Sequence, residues 1–106
     1  MNKDTIGLKI SPKEMTAKAL FVIRKYDNIA LSELKKKVKD NEYILCYSYT
    51  DRFGLKKIIQ CYEELSKIGV DAQLFELDDI ATTINELKTL NNTYDEISDE
   101  IDNDEL

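Results

Sequence analysis

Few side chains in this chain are suited to covalent chemistry. Cys46 and Cys61 are its two thiols, and histidine is absent. Without an imidazole, neither a Ser-His-Asp triad nor a Cys-His pair can be assembled. A reactive thiol also needs a neighbouring cation or base to hold it ionised. Both cysteines instead lie among apolar residues, so both are expected to be core thiols. There is no CxxC spacing, which excludes a disulfide framework or a zinc cluster. The carboxylate pairs Glu63-Glu64 and Asp78-Asp79 are adjacent in sequence. Neighbours on a helix diverge by about 100°, so such pairs do not converge on one substrate; they read as caps or solvated faces. Gly54-Leu55-Lys56-Lys57 lacks the upstream glycine of a phosphate loop. Asp102-Asn103-Asp104 lacks the glycine and distant glutamate of a calcium loop. The expectation is a protein that is not an enzyme and uses no cofactor and no metal.

Charge is more informative. Residues 1–75 hold 14 Lys/Arg against 10 Asp/Glu, a balance of +4, while residues 76–106 hold Lys88 against 11 acidic residues, a balance of -10. The net -6 therefore hides a mildly basic body with a strongly acidic end. Two surfaces stand out as partner-binding candidates. One is basic, with Lys35, Lys36, Lys37 and Lys39 on a short helix and Arg24 on the helix before it. The other is the acidic end. There Tyr94, Ile97 and Ile101 recur at helical spacing among Asp95, Glu96, Asp99, Glu100, Asp102, Asp104 and Glu105. A third feature is the strand Tyr43–Tyr49, whose tyrosines suit protein hot spots or stacking on bases.

The elements that must position these residues follow from periodicity. Thr5–Ile10 alternates as a strand. Ser11-Pro12-Lys13-Glu14 carries the cap, proline and acid of a helix start. Met15, Ala19, Val22, Ile23 and Tyr26 then share a helical face, and Leu20 and Phe21 widen it. Phe21 is thus either deeply packed or exposed for a reason. Leu31, Leu34 and Val38 mark a second helix. In Tyr43–Tyr49, alternation places Tyr43, Leu45, Tyr47 and Tyr49 on one face. Thr50 or Asp51 caps a third helix with Leu55, Ile58, Ile59, Tyr62 and Leu65 inward. Gly69 suits its C-cap, and Val70–Leu77 is a third strand. Asp78 or Asp79 caps a fourth helix through Ile80, Ile84 and Leu87. The 106 residues form one α+β domain, a β-α-α-β-α-β two-layer sandwich with helices on one face of a three-stranded sheet. Its body is 1–78, an appended helix covers 79–92, and 93–106 is an acidic tail.

Three stretches of this chain resemble the C-terminal domain of the bacterial ribosomal stalk protein. Ala19-Leu20-Phe21-Val22-Ile23-Arg24 is similar to its first helix, and Leu31-Ser32-Glu33-Leu34-Lys35-Lys36-Lys37-Val38 to its second. Leu55-Lys56-Lys57 through Glu63-Glu64-Leu65, Gly69 and Val70-Asp71-Ala72 look like its last helix, glycine and strand. The likeness covers about residues 5–77. The family's glycine-leucine-glycine-leucine link reads Asn28-Ile29-Ala30-Leu31 here. Two lysine positions of its factor-binding face are Phe21 and Thr16, while Arg24 and Lys35 keep their charge. The N-degron adaptor of the Clp protease shares that fold. Ser11-Pro12-Lys13-Glu14-Met15 is similar to its helix start, but Lys9 and Ile10 stand in place of its acidic cluster. The resemblance implies a bacterial or phage setting and a domain that shows helices to a larger machine without chemistry of its own.

The reading that results is a non-catalytic protein-interaction module: a small acidic inhibitor, immunity protein or adaptor whose end captures a basic protein. The alternative is a nucleic-acid-binding regulator that uses the lysine helix, with the acidic tail as autoinhibitor. Mean hydropathy is -0.43, no apolar run reaches membrane-spanning length, and Met1–Ile10 lacks a signal-peptide core. No membrane partner and a cytoplasmic location are therefore expected.

Overall fold

In the computed structural model, which describes residues 4–77 and 80–93, the first strand, β1, spans Thr5–Ile10. Its alternation puts Ile6, Leu8 and Ile10 on one face, each at most 2% exposed. Strand β2 (Leu45–Ser48) and strand β3 (Ala72–Glu76) pair antiparallel on either side of it. A fourth strand, β4 (Ile80–Thr82), pairs antiparallel with β3. Among the described residues the sheet order is β2-β1-β3-β4. The expected sheet of three strands is therefore corrected to four. The class remains α+β.

The fourth strand comes from a stretch expected to start a helix. Leu77 takes φ 48°, which turns the chain back, and Ile80 pairs with Glu76. Ile80 and Thr82 are β-branched and favour the extended form. The helix begins only at residue 84. Thr83 caps it by accepting from the Glu86 N–H at 3.2 Å. The caps expected at Asp78 or Asp79 lie outside the described residues. Residues 84–93 are helical (α4), and Leu87 from this helix is fully buried in the common core.

A similar shift occurs near the N-terminus. Pro12–Glu14 forms one 3-10 turn, and Ser11 makes no side-chain cap. Met15 leaves the helical region at ψ 79° and packs against the core. Helix α1 then spans Ala17–Tyr26, with the Thr16 side chain accepting from the Ala19 N–H at 3.2 Å. Helix α2 covers Leu31–Lys39 and helix α3 covers Arg52–Lys67. Asp51 caps α3 by accepting from the Gly54 N–H at 2.9 Å. Gly69 adopts φ 83° after it. There the Val70 N–H donates to the Leu65 carbonyl at 2.9 Å, closing the helix with a left-handed residue that glycine adopts freely.

One core joins the layers. Ala19, Val22 and Ile23 of α1, Leu34 and Val38 of α2, and Leu55, Ile58, Cys61 and Leu65 of α3 are buried with Ile6, Leu8 and Leu74 of the sheet. Fully burying each such aliphatic side chain stabilises by about 1.5–3 kcal/mol. The other face of the sheet carries Thr5, Gly7, Lys9, Cys46, Ser48, Gln73, Phe75 and Ala81 in register. Cys46 is exposed there, so the expectation of two core thiols holds for Cys61 alone.

Candidate functional site

The tyrosine strand does not keep the face that alternation gives it. Leu45 is the register partner of Leu8, yet the Ile44 N–H also donates to the Leu8 carbonyl at 2.9 Å. Two successive residues thus oppose one, as in a β-bulge, and both are buried. The extra residue turns Tyr43 onto the open face of the sheet, where its ring covers Gly7. A Cβ at Gly7 would collide with that ring, so glycine is what lets the tyrosine lie flat. Tyr43 meets Phe75 edge-on at 5.9 Å, and Lys9 Nζ lies 4.6 Å and 5.0 Å from the two ring centroids. Tyr47 stays on the helix side against Gly54, so the shared face expected for the two tyrosines is corrected. Its hydroxyl pKa is raised, first by burial and then by Asp27 and Asp51.

Where α1 meets α3, the Cys61 thiol is fully buried beneath the partly exposed side chains of Lys25, Tyr26 and Glu64. Burial pushes it up to about 12; Glu64 adds to the shift and Lys25 opposes it. Tyr26 is likewise raised to about 12, by burial first and then by its hydrogen bond to Glu64. Glu64 itself is held below the usual carboxylate value, chiefly by the hydrogen bond from Lys25 Nζ at 2.8 Å. A thiol kept protonated in this way is a poor nucleophile. Among the described residues, no cluster of three or more metal-binding side chains occurs.

The basic candidates are split by the fold. On α2, Leu34 and Val38 point inward. At 100° per residue, Lys35, Lys36 and Lys39 fan over the outer arc, and Lys37 falls on the opposite flank, partly covered. Arg24 belongs to a different surface, the outside of α1. Among the described residues, none of these five cations forms an ion pair. The acidic candidates Tyr94, Asp95, Glu96, Ile97, Asp99, Glu100, Ile101, Asp102, Asp104 and Glu105 lie outside the described residues.

What gathers around Arg24 is an open groove of about 440 Å³ along α1, reaching the first residue of α2. Ala17, Leu20, Phe21 and Leu31 form its apolar lining, and Arg24, Lys25 and Asn28 its polar lining. Phe21 is 73% exposed and Leu31 41%. Leu31 was expected inward with Leu34; at the first residue of α2 it faces the groove instead. Helical spacing left Phe21 either deeply packed or exposed, and the structure places it on the surface. Leu31 carried no such signal, because its spacing to Leu34 and Val38 fits the buried face.

No helix among the described residues is long and apolar enough to cross a membrane. Comparison of the chain with protein-family models, with curated proteins and with solved structures returned no match.

Proposed function

We propose that this protein is a non-catalytic protein-interaction module of the adaptor or inhibitor kind, docking on a larger protein through the outside of α1. The observation that carries the reading is Phe21, a large ring left 73% exposed on a groove that Leu20 and Leu31 complete. Exposed contiguous apolar surface of this sort marks interaction sites, whereas scattered single residues do not. Phenylalanine on such a surface supplies hot-spot area once water is excluded. The resemblance to the stalk domain and the N-degron adaptor supports the same reading as fold analogy. In this reading the acidic stretch 95–105 steers the module toward basic surface beside the docking point, with a rate that falls as salt rises.

The second reading, nucleic-acid contact, is favoured by the free cationic arc of Lys35, Lys36 and Lys39. It is weakened by the separation of Lys37 and Arg24 from that arc, and by Lys9 covering the Tyr43–Phe75 pair on the open sheet face.

Affinity purification of the full chain from its host, beside Phe21→Ser and a triple Lys35→Ala, Lys36→Ala, Lys39→Ala variant, separates the two. The expected result is a defined protein retained by the parent and by the triple variant but lost by Phe21→Ser. Capture of nucleic acid that is lost only with the triple variant overturns the reading.

A further inference from the structure

The α1 groove has a definite chemistry, and on the protein-binding reading it names its occupant. Its wall runs along α1 through Ala17, Phe21 and Arg24 and continues to Asn28 just past the helix, whose ten residues span about 15 Å. Its apolar side chains include Leu20, Phe21 and Leu31. Its polar side chains are Arg24, Lys25 and Asn28, and no carboxylate lines the groove. The Lys25 ammonium is already held by Glu64 at 2.8 Å, while Arg24 is exposed and makes no ion pair among the described residues. Arg24 is therefore the cation that an incoming acid meets. The guanidinium fork pairs with a carboxylate in bidentate fashion. The surrounding body, residues 1–75, carries +4. A basic peptide would face repulsion along this wall, and a nucleic acid would leave Phe21 and Leu31 uncovered.

We infer that the α1 groove receives an acidic amphipathic segment of a partner protein, with an apolar side chain entering between Phe21, Leu20 and Leu31 and a carboxylate pairing with Arg24. Neither key residue supports the core, so both can be changed without unfolding the chain. Circular dichroism and thermal melts of each variant verify this.

The test is a selection of random 12-residue peptides on the immobilised full-length protein, followed by affinity measurement on Phe21→Ser and Arg24→Glu. The expected consensus places large apolar residues three or four apart with at least two carboxylates. Each substitution weakens the best peptide by about tenfold or more, as hot-spot truncations do. Replacing the peptide's critical carboxylate by lysine restores binding to Arg24→Glu. Enrichment of basic or uncharged peptides, or binders indifferent to both substitutions, overturns the assignment while leaving the protein-binding reading intact. No enrichment at all overturns it too. Binding of single-stranded oligonucleotide in a parallel arm, with no peptide selected, removes both. A synthetic 93–106 peptide is the control. If it binds the groove more tightly than every selected peptide, the occupant is this chain's own terminus and the partner assignment falls.

Discussion

The open face of the sheet and the outside of α1 both place aromatic rings at the surface, and they treat them in opposite ways. On the sheet, Tyr43 lies over Gly7, meets Phe75 edge-on, and is covered with it by Lys9. Each ring has its partners within the chain. On α1, Phe21 stands 73% exposed beside a groove, and Arg24 beside it makes no ion pair among the described residues. The first arrangement is complete and shields the middle of the sheet. The second is unfinished, which is what a surface awaiting another molecule looks like. Aromatic exposure alone therefore says little about binding; what matters is whether the ring's neighbours have already been supplied.

This contrast can be broken or sharpened by substitution. The largest effect is expected for Ile23→Ala, which empties the core behind α1 and costs about 2–5 kcal/mol by chemical denaturation. Gly7→Ala comes next. Its methyl must push Tyr43 off the sheet, costing about 1–3 kcal/mol, and near-ultraviolet circular dichroism should show the tyrosine environment change. A neutral result there would mean that the sheet cluster is as loose as the α1 surface. Alkaline stability is third. Below pH 9.0 the Cys61 thiol is protonated folded or unfolded, but from there to about 12 only the unfolded chain ionises it. Stability must therefore fall as pH rises through that window, and Cys61→Ala should flatten the fall. Glu64→Gln is expected to cost less than about 1 kcal/mol, since its pair with Lys25 is partly solvated. The carboxyl pKa is lowered on folding, so this contribution is complete above the ordinary value of 4.5 and vanishes as pH drops through the folded-state pKa. The smallest effect is expected for Phe21→Ser, within about 0.5 kcal/mol. A larger loss would show that the ring supports the fold and is not held for a partner.

Local chemistry that acts over one turn was legible in the residues. Asp51 caps α3, and Gly69 ends it with φ 83°. The inward faces of α1 and α3 follow their helical spacing. Features that depend on competition between neighbours were not. Ser11 and Thr16 are both caps by type, and only the tertiary position of Met15 selects the second. Ile80 fits the helical series with Ile84 and Leu87, yet pairing with Glu76 draws it into a strand. Alternation assigned Tyr43 and Tyr47 to one face, but a one-residue bulge at Ile44 and Leu45 reverses the first of them. The groove was half visible. The spacing of Phe21 allowed either a packed or an exposed ring, while Leu31 looked buried until the start of α2 was placed against α1.

The sheet order has a consequence for how the chain reaches this state. β1 is made first but lies second in the sheet, between two strands that follow much later, and Ile6 finds its partner at Glu76. Among the described strands, only β3 and β4 are paired neighbours that lie close in sequence. During synthesis the N-terminal third has helices to form but no neighbour for its strand. Its apolar residues Ile6, Leu8 and Ile10 stay without cover until most of the chain is present. Closing such distant contacts is entropically costly and slow compared with helix formation. Collapse of the sheet is therefore a late, whole-chain event, and fragments ending before residue 76 should bind chaperones instead of folding.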